Sequence, residues 1–398
     1  MKKLISILVT FCLVIGAFSL GSFAADGSTE LRFDENGEFK VLHISDCQDN
    51  FPAEEKMMTY INYMLEIYEP DLVILGGDNS IGLAETKEQE VAELVAPFVE
   101  HKVYFTLVFG NHDNEQGVSK EELLGFFQKY GGEYCLAYDA VPELHGTANH
   151  NLPVYASDSD KIKFNFWLLD TGTYVYDESD PTKRLGYDAV TEDQIEWYKA
   201  TSQELEKTAG EKVNSLVFQH MVVGEVYDAM FPSVPFEIPD LIESYNGKHY
   251  PIIAPNTSVF SGHLFEPPSP GYYNHGEFGA MLERGDVLGI YCGHDHINTY
   301  ELVHEGIIIG NTPGVTHHAY GNEMTRGSRL FVINENDTST FTSKVITYND
   351  LALENEDFAN AAGISKIEAA FWVFISNLLL FLKNISALVI YPFNLIIA

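Results

Sequence analysis

The stretch Val41-Leu42-His43-Ile44-Ser45-Asp46-Cys47-Gln48-Asp49-Asn50 sets the terms for everything after it. An apolar run stops abruptly on a carboxylate, and an amide follows two residues later. Four further runs have the same form. Asp71–Asp78 (DLVILGGD) ends on Asp78, and Val103–Asp113 (VYFTLVFGNHD) runs into Asn111 and His112. Asn214–His220 (NSLVFQH) ends on His220, and Val287–His296 (VLGIYCGHDH) ends on His294 and His296. Short apolar runs of this length read as buried strands. In α/β sheets ligands gather at the carboxyl ends of strands, so the five polar ends are expected to converge on one edge.

Between these strands the apolar residues fall at helical spacing, as in Met57, Ile61, Met64, Leu65 and Tyr68, and again in Val91, Leu94, Val95 and Phe98. Ser119 with Glu122, and Thr191 with Gln194, have the spacing of capping boxes that start two more helices. Alternation of strand and helix indicates an α/β fold. No internal repeat or low-complexity tract interrupts it.

The balance of 58 acidic against 23 basic residues gives a net charge of -35. Such a surface repels a phosphate backbone, so nucleic-acid binding is not expected. Lys2 and Lys3 precede an apolar run from Leu4 to Leu20, and Ser22-Phe23-Ala24 places small residues at the cleavage-determining positions. Residues 1–24 therefore read as a signal peptide, and the protein as exported to the cell envelope or beyond. Cys47, Cys135 and Cys292 then remain, an odd set without close spacing, so no disulfide framework is expected; Cys47 and Cys292 read as small buried residues.

The far end is apolar: after Glu368 the only charge is Lys383. Ala369–Leu382 and Ile385–Ala398 are each shorter than the ~20 residues of a straight span. Joined, they could cross a membrane with a tilt, lie along its interface, or pack back on the domain. Membrane association through residues 369–398 is the expectation.

Asp, Asn and neutral His together make a donor set for zinc or first-row transition metals, with no thiolate set beside it. A carboxylate shared by two cations offsets part of their repulsion at the ~3.5–4 Å spacing of two-metal hydrolysis. The ordered series D-x-Q (Asp46–Gln48), GD (Gly77-Asp78), GNHD (Gly110–Asp113), a strand-end His220 and GHDH (Gly293–His296) resembles that of the calcineurin-like metallophosphoesterases, in a branch similar to the purple acid phosphatases. The resemblance spans roughly Leu31 to Asn334.

It implies two packed mixed β-sheets flanked by helices, a four-layer α/β/β/α fold, with a dinuclear metal centre at the sheet edge. It further implies that Asp46 and His296, with Gln48 beside them, hold one metal ion. Asp78 bridges to a second ion, which Asn111, His220 and His294 hold. The ions would be iron, manganese or zinc. His112 would assist the leaving oxygen and Asp113 would orient it. The implied reaction is hydrolysis of a phosphate ester by in-line attack of a metal-bridging hydroxide.

Two positions depart from the pattern. Purple acid phosphatases carry a tyrosine ligand three residues after the bridging aspartate; here that residue is Ile81, so no iron–tyrosinate colour is expected. Gln48 stands where most members have histidine, and it either offers a carbonyl oxygen to the metal or only hydrogen-bonds its neighbours. A non-catalytic metal- or ligand-binding envelope protein with one weakened site is the alternative reading. The Pro- and Tyr-rich segment Val222–Gly285 is expected to form loops over the metal edge, and Arg326 in the run THHAYGNEMTRG is a candidate phosphate grip. The domain plan is then 25–350 for the metallophosphoesterase domain, 351–368 for a linker and 369–398 for the apolar segment.

Overall fold

The computed structural model describes residues 30–231, 242–245, 248–251 and 255–397. The expected signal peptide, residues 1–24, lies outside these.

Three of the motif-bearing runs form adjacent parallel strands, Glu38–Ile44, Leu72–Gly76 and Tyr104–Val108. Gly327–Asn334 and Asp337–Thr347 extend them antiparallel into a five-stranded sheet. The other two runs enter an eight-stranded sheet whose centre is parallel: Ile162–Leu169, Asn214–Gln219, Val287–Cys292 and Ile307–Asn311. Register is what aligns the polar ends. Gly76 pairs with Val108 in one sheet, and Leu169, Gln219, Cys292 and Asn311 stand side by side in the other. The residue after each strand therefore emerges at the same edge.

The sheets are stacked on an aromatic core of Phe39, Val41, Ile74, Phe164, Phe166, Phe218, Tyr291 and Phe331. Phe218 meets Phe331 edge-on with centroids 5.5 Å apart. Burying each such side chain is worth about 1.5–3 kcal/mol. Helices cover both outer faces. Glu55–Tyr68 and Lys87–His101 bury the apolar positions read from the sequence, including Met57, Ile61, Met64, Val91, Leu94 and Phe98. Lys120–Gly131 starts with the Ser119–Glu122 capping box, and Glu192–Ala209 with the Thr191–Gln194 box. This is the four-layer α/β/β/α arrangement.

Two segments differ from expectation. Residues 351–368 are no linker: Tyr348–Glu354 and Glu356–Ala361 are helices that bury Leu351, Ala352 and Phe358 in the core under the five-stranded sheet. Their polar surface residues read as a connection, yet one apolar residue per turn is enough to dock so short a helix. Val222–Gly285 is not all loop either, since Glu225–Met230 and Glu277–Arg284 are helical; residues 232–241 lie outside the described part.

The C-terminal segment is one helix, Lys366–Ile397, rather than two pieces, and its portion Lys366–Ile385 is long and apolar enough to cross a membrane. One side of it docks on the domain. Ala369 is buried, Ser376 Oγ lies 2.8 Å from His263 Nε2, and Lys383 Nζ donates to Phe260 O and Gly262 O, each at 2.9 Å. The opposite side exposes Ile367, Phe371, Phe374, Leu378, Phe381 and Ile385 in a stripe.

A buried ion pair ties the edge of the sheets to the helical layer. Lys120 Nζ donates to Asp170 Oδ1 (2.8 Å), Asp170 Oδ2 (3.0 Å) and Gly172 O (3.0 Å). Asp170 also accepts from the Thr147 and Gly172 amides. Lys120→Met removes the cation and leaves a buried carboxylate uncompensated. We expect it to lower unfolding free energy by about 3–5 kcal/mol in urea denaturation followed by circular dichroism; a change within about 0.5 kcal/mol would mean that water reaches Asp170.

Candidate metal centre

The turns after the strands are tight and left-handed. Asp46, Gln48, Asp78 and His294 have φ of 53°, 38°, 50° and 67°. None is glycine, and such conformations cost on the order of 1–3 kcal/mol each. The surrounding bonds hold them there: Asp46 N donates to Gly77 O (3.1 Å), Gln48 N to Asp78 O (2.8 Å) and His294 N to Asp46 Oδ2 (3.1 Å). Gly77 is required by contact as well as by its φ of 94°, because a Cβ there would overlap the His220 ring. A Cβ on Gly110 would overlap the Asp78 carboxylate.

These turns bring all seven residues read as ligands to one edge. The ligand atoms of Asp78, His220 and His294 lie within 4.8 Å of one another. His220 Nε2 is 3.2 Å from Asp78 Oδ2, and His296 Nε2 is 3.3 Å from Asp46 Oδ1. Asn111 Nδ2 donates to the Tyr174 hydroxyl at 2.8 Å, which leaves its Oδ1 turned the other way. His220 Nδ1 faces Gly76 O at 2.9 Å, and His296 Nδ1 faces Tyr320 O at 2.9 Å. A carbonyl partner takes the proton on Nδ1, so in both rings Nε2 is the atom turned toward the carboxylates and the one a cation would use once it displaces the Nε2 proton.

Asn111 Oδ1 is buried without a hydrogen-bond partner, and His220 Nε2 and Asp46 Oδ1 are buried with no contact but the ion pairs above. A buried polar atom left as Asn111 Oδ1 is costs about 1–3 kcal/mol, and it fits a site built for cations. Burial pushes His294 down to about 3, so that ring is neutral. Burial also opposes charge on His220, but the adjacent Asp78 carboxylate outweighs it and raises His220 to about 10, while Asp78 itself is lowered. Cys47 and Cys292 are fully buried, with thiols raised by desolvation; they are packing residues and supply no thiolate.

Gln48 lies against the candidate bridge. Its Nε2 donates to Asp78 Oδ2 at 3.1 Å, since its carbonyl oxygen there would face another oxygen.

The expected partnership of Asp113 with His112 is corrected by the structure. Asp113 turns inward, accepting from Gly110 N (2.7 Å), Asn79 N (2.8 Å) and Ser80 N (3.2 Å). It braces the two turns that carry Asp78 and Asn111. Burial, then the charge of Asp78, pushes its carboxyl up to about 6. The carboxylate on His112 is Glu115, with Nδ1 to Oε2 at 2.8 Å, while the His112 amide donates to Asp78 Oδ1 at 2.8 Å. The turn Glu115–Gly117 places residues 112 and 115 on the same side; their spacing of three was the available signal.

Two tyrosines, Tyr174 and Tyr187, carry no signal in the sequence, whereas Tyr320 lies in the run THHAYGNEMTRG. Tyr174 hydrogen-bonds Asn111 and lies 3.3 Å from Glu115 Oε1, and Tyr187 meets the His294 ring at 4.3 Å. Tyr320 stacks on His296 at 4.2 Å and donates to Glu266 Oε2 at 3.0 Å. Arg326, read as a phosphate grip, is instead buried against Gly321. The segment Phe265–Tyr273 does border the site, because Ser269 N donates to Asp295 Oδ2.

A family model described as calcineurin-like phosphoesterase matches residues 39–298. The chain is 27% identical over 327 residues to the Arabidopsis thaliana "Probable inactive purple acid phosphatase 14", covering 74% of this chain and 75% of that one. It is 24% identical over 357 residues to "Phosphatase DCR2" of Saccharomyces cerevisiae, covering 80% of this chain and 55% of that one. Among solved structures, a dimetal phosphatase from Danio rerio aligns over 77% of this chain and 98% of its own, at 15% identity and a TM-score of 0.45. With its family match spanning every turn that carries a candidate ligand, the chain belongs to the calcineurin-like phosphoesterases.

Proposed function

We propose that this protein is a metal-dependent phosphoester hydrolase, with Asp46, Gln48 and His296 around one cation, Asn111, His220 and His294 around another, and Asp78 between them. The observation that carries this is the convergence of the Asp78, His220 and His294 ligand atoms within 4.8 Å of one another at the edge where Asp46, Asn111 and His296 also end their strands. Two divalent or trivalent ions (iron, manganese or zinc suit the donors) supply Lewis acidity and an activated water. The chain's own part is positional. Asp78 is held by the His112 amide and by Gln48, so its two oxygens have fixed directions. His112 stands partly exposed at the rim, held through Nδ1 by Glu115, with Nε2 free to pass a proton to the departing oxygen. No side chain need bond covalently to phosphorus.

One observation favours the second reading, a binding protein without turnover. Gln48 occupies one oxygen of Asp78 with an N–H and lacks imidazole's donor strength, and a relative of similar length is named "probable inactive". The two readings separate by measuring metal content and turnover together.

For location we infer export from the N-terminal pattern, and contact with a lipid surface through the helix Lys366–Ile397. A helix docked on one side and apolar on the other suits the plane of an interface. Phosphatidylcholine vesicles should carry the wild-type protein upward in a flotation gradient, and the triple substitution Phe371→Ser, Phe374→Ser, Phe381→Ser should leave it at the bottom. Flotation that survives the substitutions would remove the stripe from the contact.

Asp78→Asn should abolish hydrolysis of 4-nitrophenyl phosphate and lower bound metal in elemental analysis, since the anion between the cations is lost. His112→Ala should keep the metal and lower kcat by about 10²–10⁴. Glu115→Gln should keep the metal and lower kcat by about 10–100-fold. Wild-type protein that holds two ions and turns over no ester would establish the binding-protein reading.

Gln48 sets the weaker site on either reading. Stepwise chelation should strip the ion at Asp46 and His296 first, and Gln48→His should slow that loss. Equal release of both ions from wild type, or no change on substitution, would remove Gln48 from control of occupancy.

A further inference from the structure

A two-stranded ribbon stands apart from both main sheets and borders the centre: Tyr174–Asp177 pairs antiparallel with Asp180–Tyr187. It is anchored at its base. Lys120 Nζ donates to Gly172 O, and the Tyr272 amide donates to Tyr187 O at 2.7 Å. Its two inner tyrosines touch candidate ligands directly, Tyr174 through the Asn111 amide and Tyr187 through the His294 ring. Tyr174 also reaches Glu115, the carboxylate that holds His112. The ribbon is thus registered against the site at three points.

Arg184 projects from this ribbon over both rings, its Cζ 4.7 Å from the Tyr174 centroid and 5.2 Å from that of Tyr187. It is exposed. Apart from those rings and the Tyr187 hydroxyl, it has no partner among the described residues. The nearby ribbon carboxylate, Asp177, is taken by Lys183 at 3.1 Å. In a chain of net charge -35, a guanidinium left without a carboxylate at the rim of a site is a specific feature. Contact with two rings holds the guanidinium at this rim, and a guanidinium is the side chain that can grip a phosphate with two parallel hydrogen bonds.

Each tyrosine touches both Arg184 and a candidate ligand, so the guanidinium is one residue removed from the group those ligands would hold. We propose that Arg184, presented by Tyr174 and Tyr187, is a subsite for a second phosphoryl group on the leaving side, and that the preferred substrates are organic diphosphates rather than simple monoesters. This rests on the phosphoester-hydrolase reading for the site it adjoins, but it is a binding claim and can be tested without turnover.

The probes are inorganic phosphate and imidodiphosphate, a diphosphate with a non-hydrolysable P–N–P link, titrated calorimetrically into metal-loaded full-length protein. Wild type should bind imidodiphosphate more tightly than phosphate. In Arg184→Gln the ratio of the two affinities should fall by about tenfold or more, the loss expected of a charge-assisted pair. Arg184→Lys should fall between, keeping the charge without the fork. Lys183→Gln, one residue away and already paired, should leave the ratio as in wild type. An unchanged ratio in Arg184→Gln, or an equal fall in Lys183→Gln, would overturn the subsite. Absence of ester turnover in wild type would count against the hydrolase reading alone, because the affinity ratio is read independently of it.

Discussion

The Asp78 carboxylate is the constraint on which this structure turns. It is fully buried between two sheets, where an unpaired charge would be very costly. The fold answers with the His112 amide on Oδ1, and with the Gln48 amide and His220 ring on Oδ2. Each partner arrives from a different strand end, two from the five-stranded sheet and one from the eight-stranded sheet. The sheets must therefore stack in one registration for the carboxylate to be tolerated. The Ser45–Gly314 bridge and the His220 contact with Gly76 O fasten that registration at the same edge. The left-handed turns at Asp46, Gln48, Asp78 and His294 are the strain accepted in return.

From that constraint the division of labour among nearby carboxylates follows. Asp113 is three backbone hydrogen bonds deep and braces the turns, while Glu115 reaches His112 at the surface. Two acids two residues apart thus have opposite environments, one raised by burial and the charge of Asp78, the other open to water at the rim. Glu115 also meets Tyr174, so the residue that holds His112 is linked to the ribbon carrying Arg184. On the proposed reading, chemistry and recognition share one carboxylate.

The C-terminal helix obeys a different rule. Its Ser376 and Lys383 satisfy polar groups on the domain, and Phe371, Phe374 and Phe381 face away. A helix buried in a core would turn those rings inward, and a helix free of the domain would have no use for a lysine aimed at two backbone carbonyls. The arrangement suits an element that belongs to the domain on one side and to an apolar phase on the other.

Much of this was legible in the residues. Apolar runs that end on Asp, Asn or His announced an α/β fold with a polar edge, because strand burial and ligand placement leave separate marks in the chain. The Ser119 and Thr191 capping boxes were legible for the same reason, since both partners lie within one helical turn. What local pattern could not settle was the direction of side chains beyond a turn. Asp113 and Glu115 differ by a rotation that depends on the backbone path through Asn111. The Tyr174–Tyr187 ribbon has alternation too short to distinguish from loop, and residues 351–361 show their apolar side only once the five-stranded sheet offers a surface to it. The sequence by itself determined which residues meet at the edge, because strand periodicity and turn chemistry are local. Only the tertiary structure decided which carboxylate serves His112, how Gln48 faces Asp78 and where Arg184 stands, because those depend on distances between segments that the chain brings together from far apart.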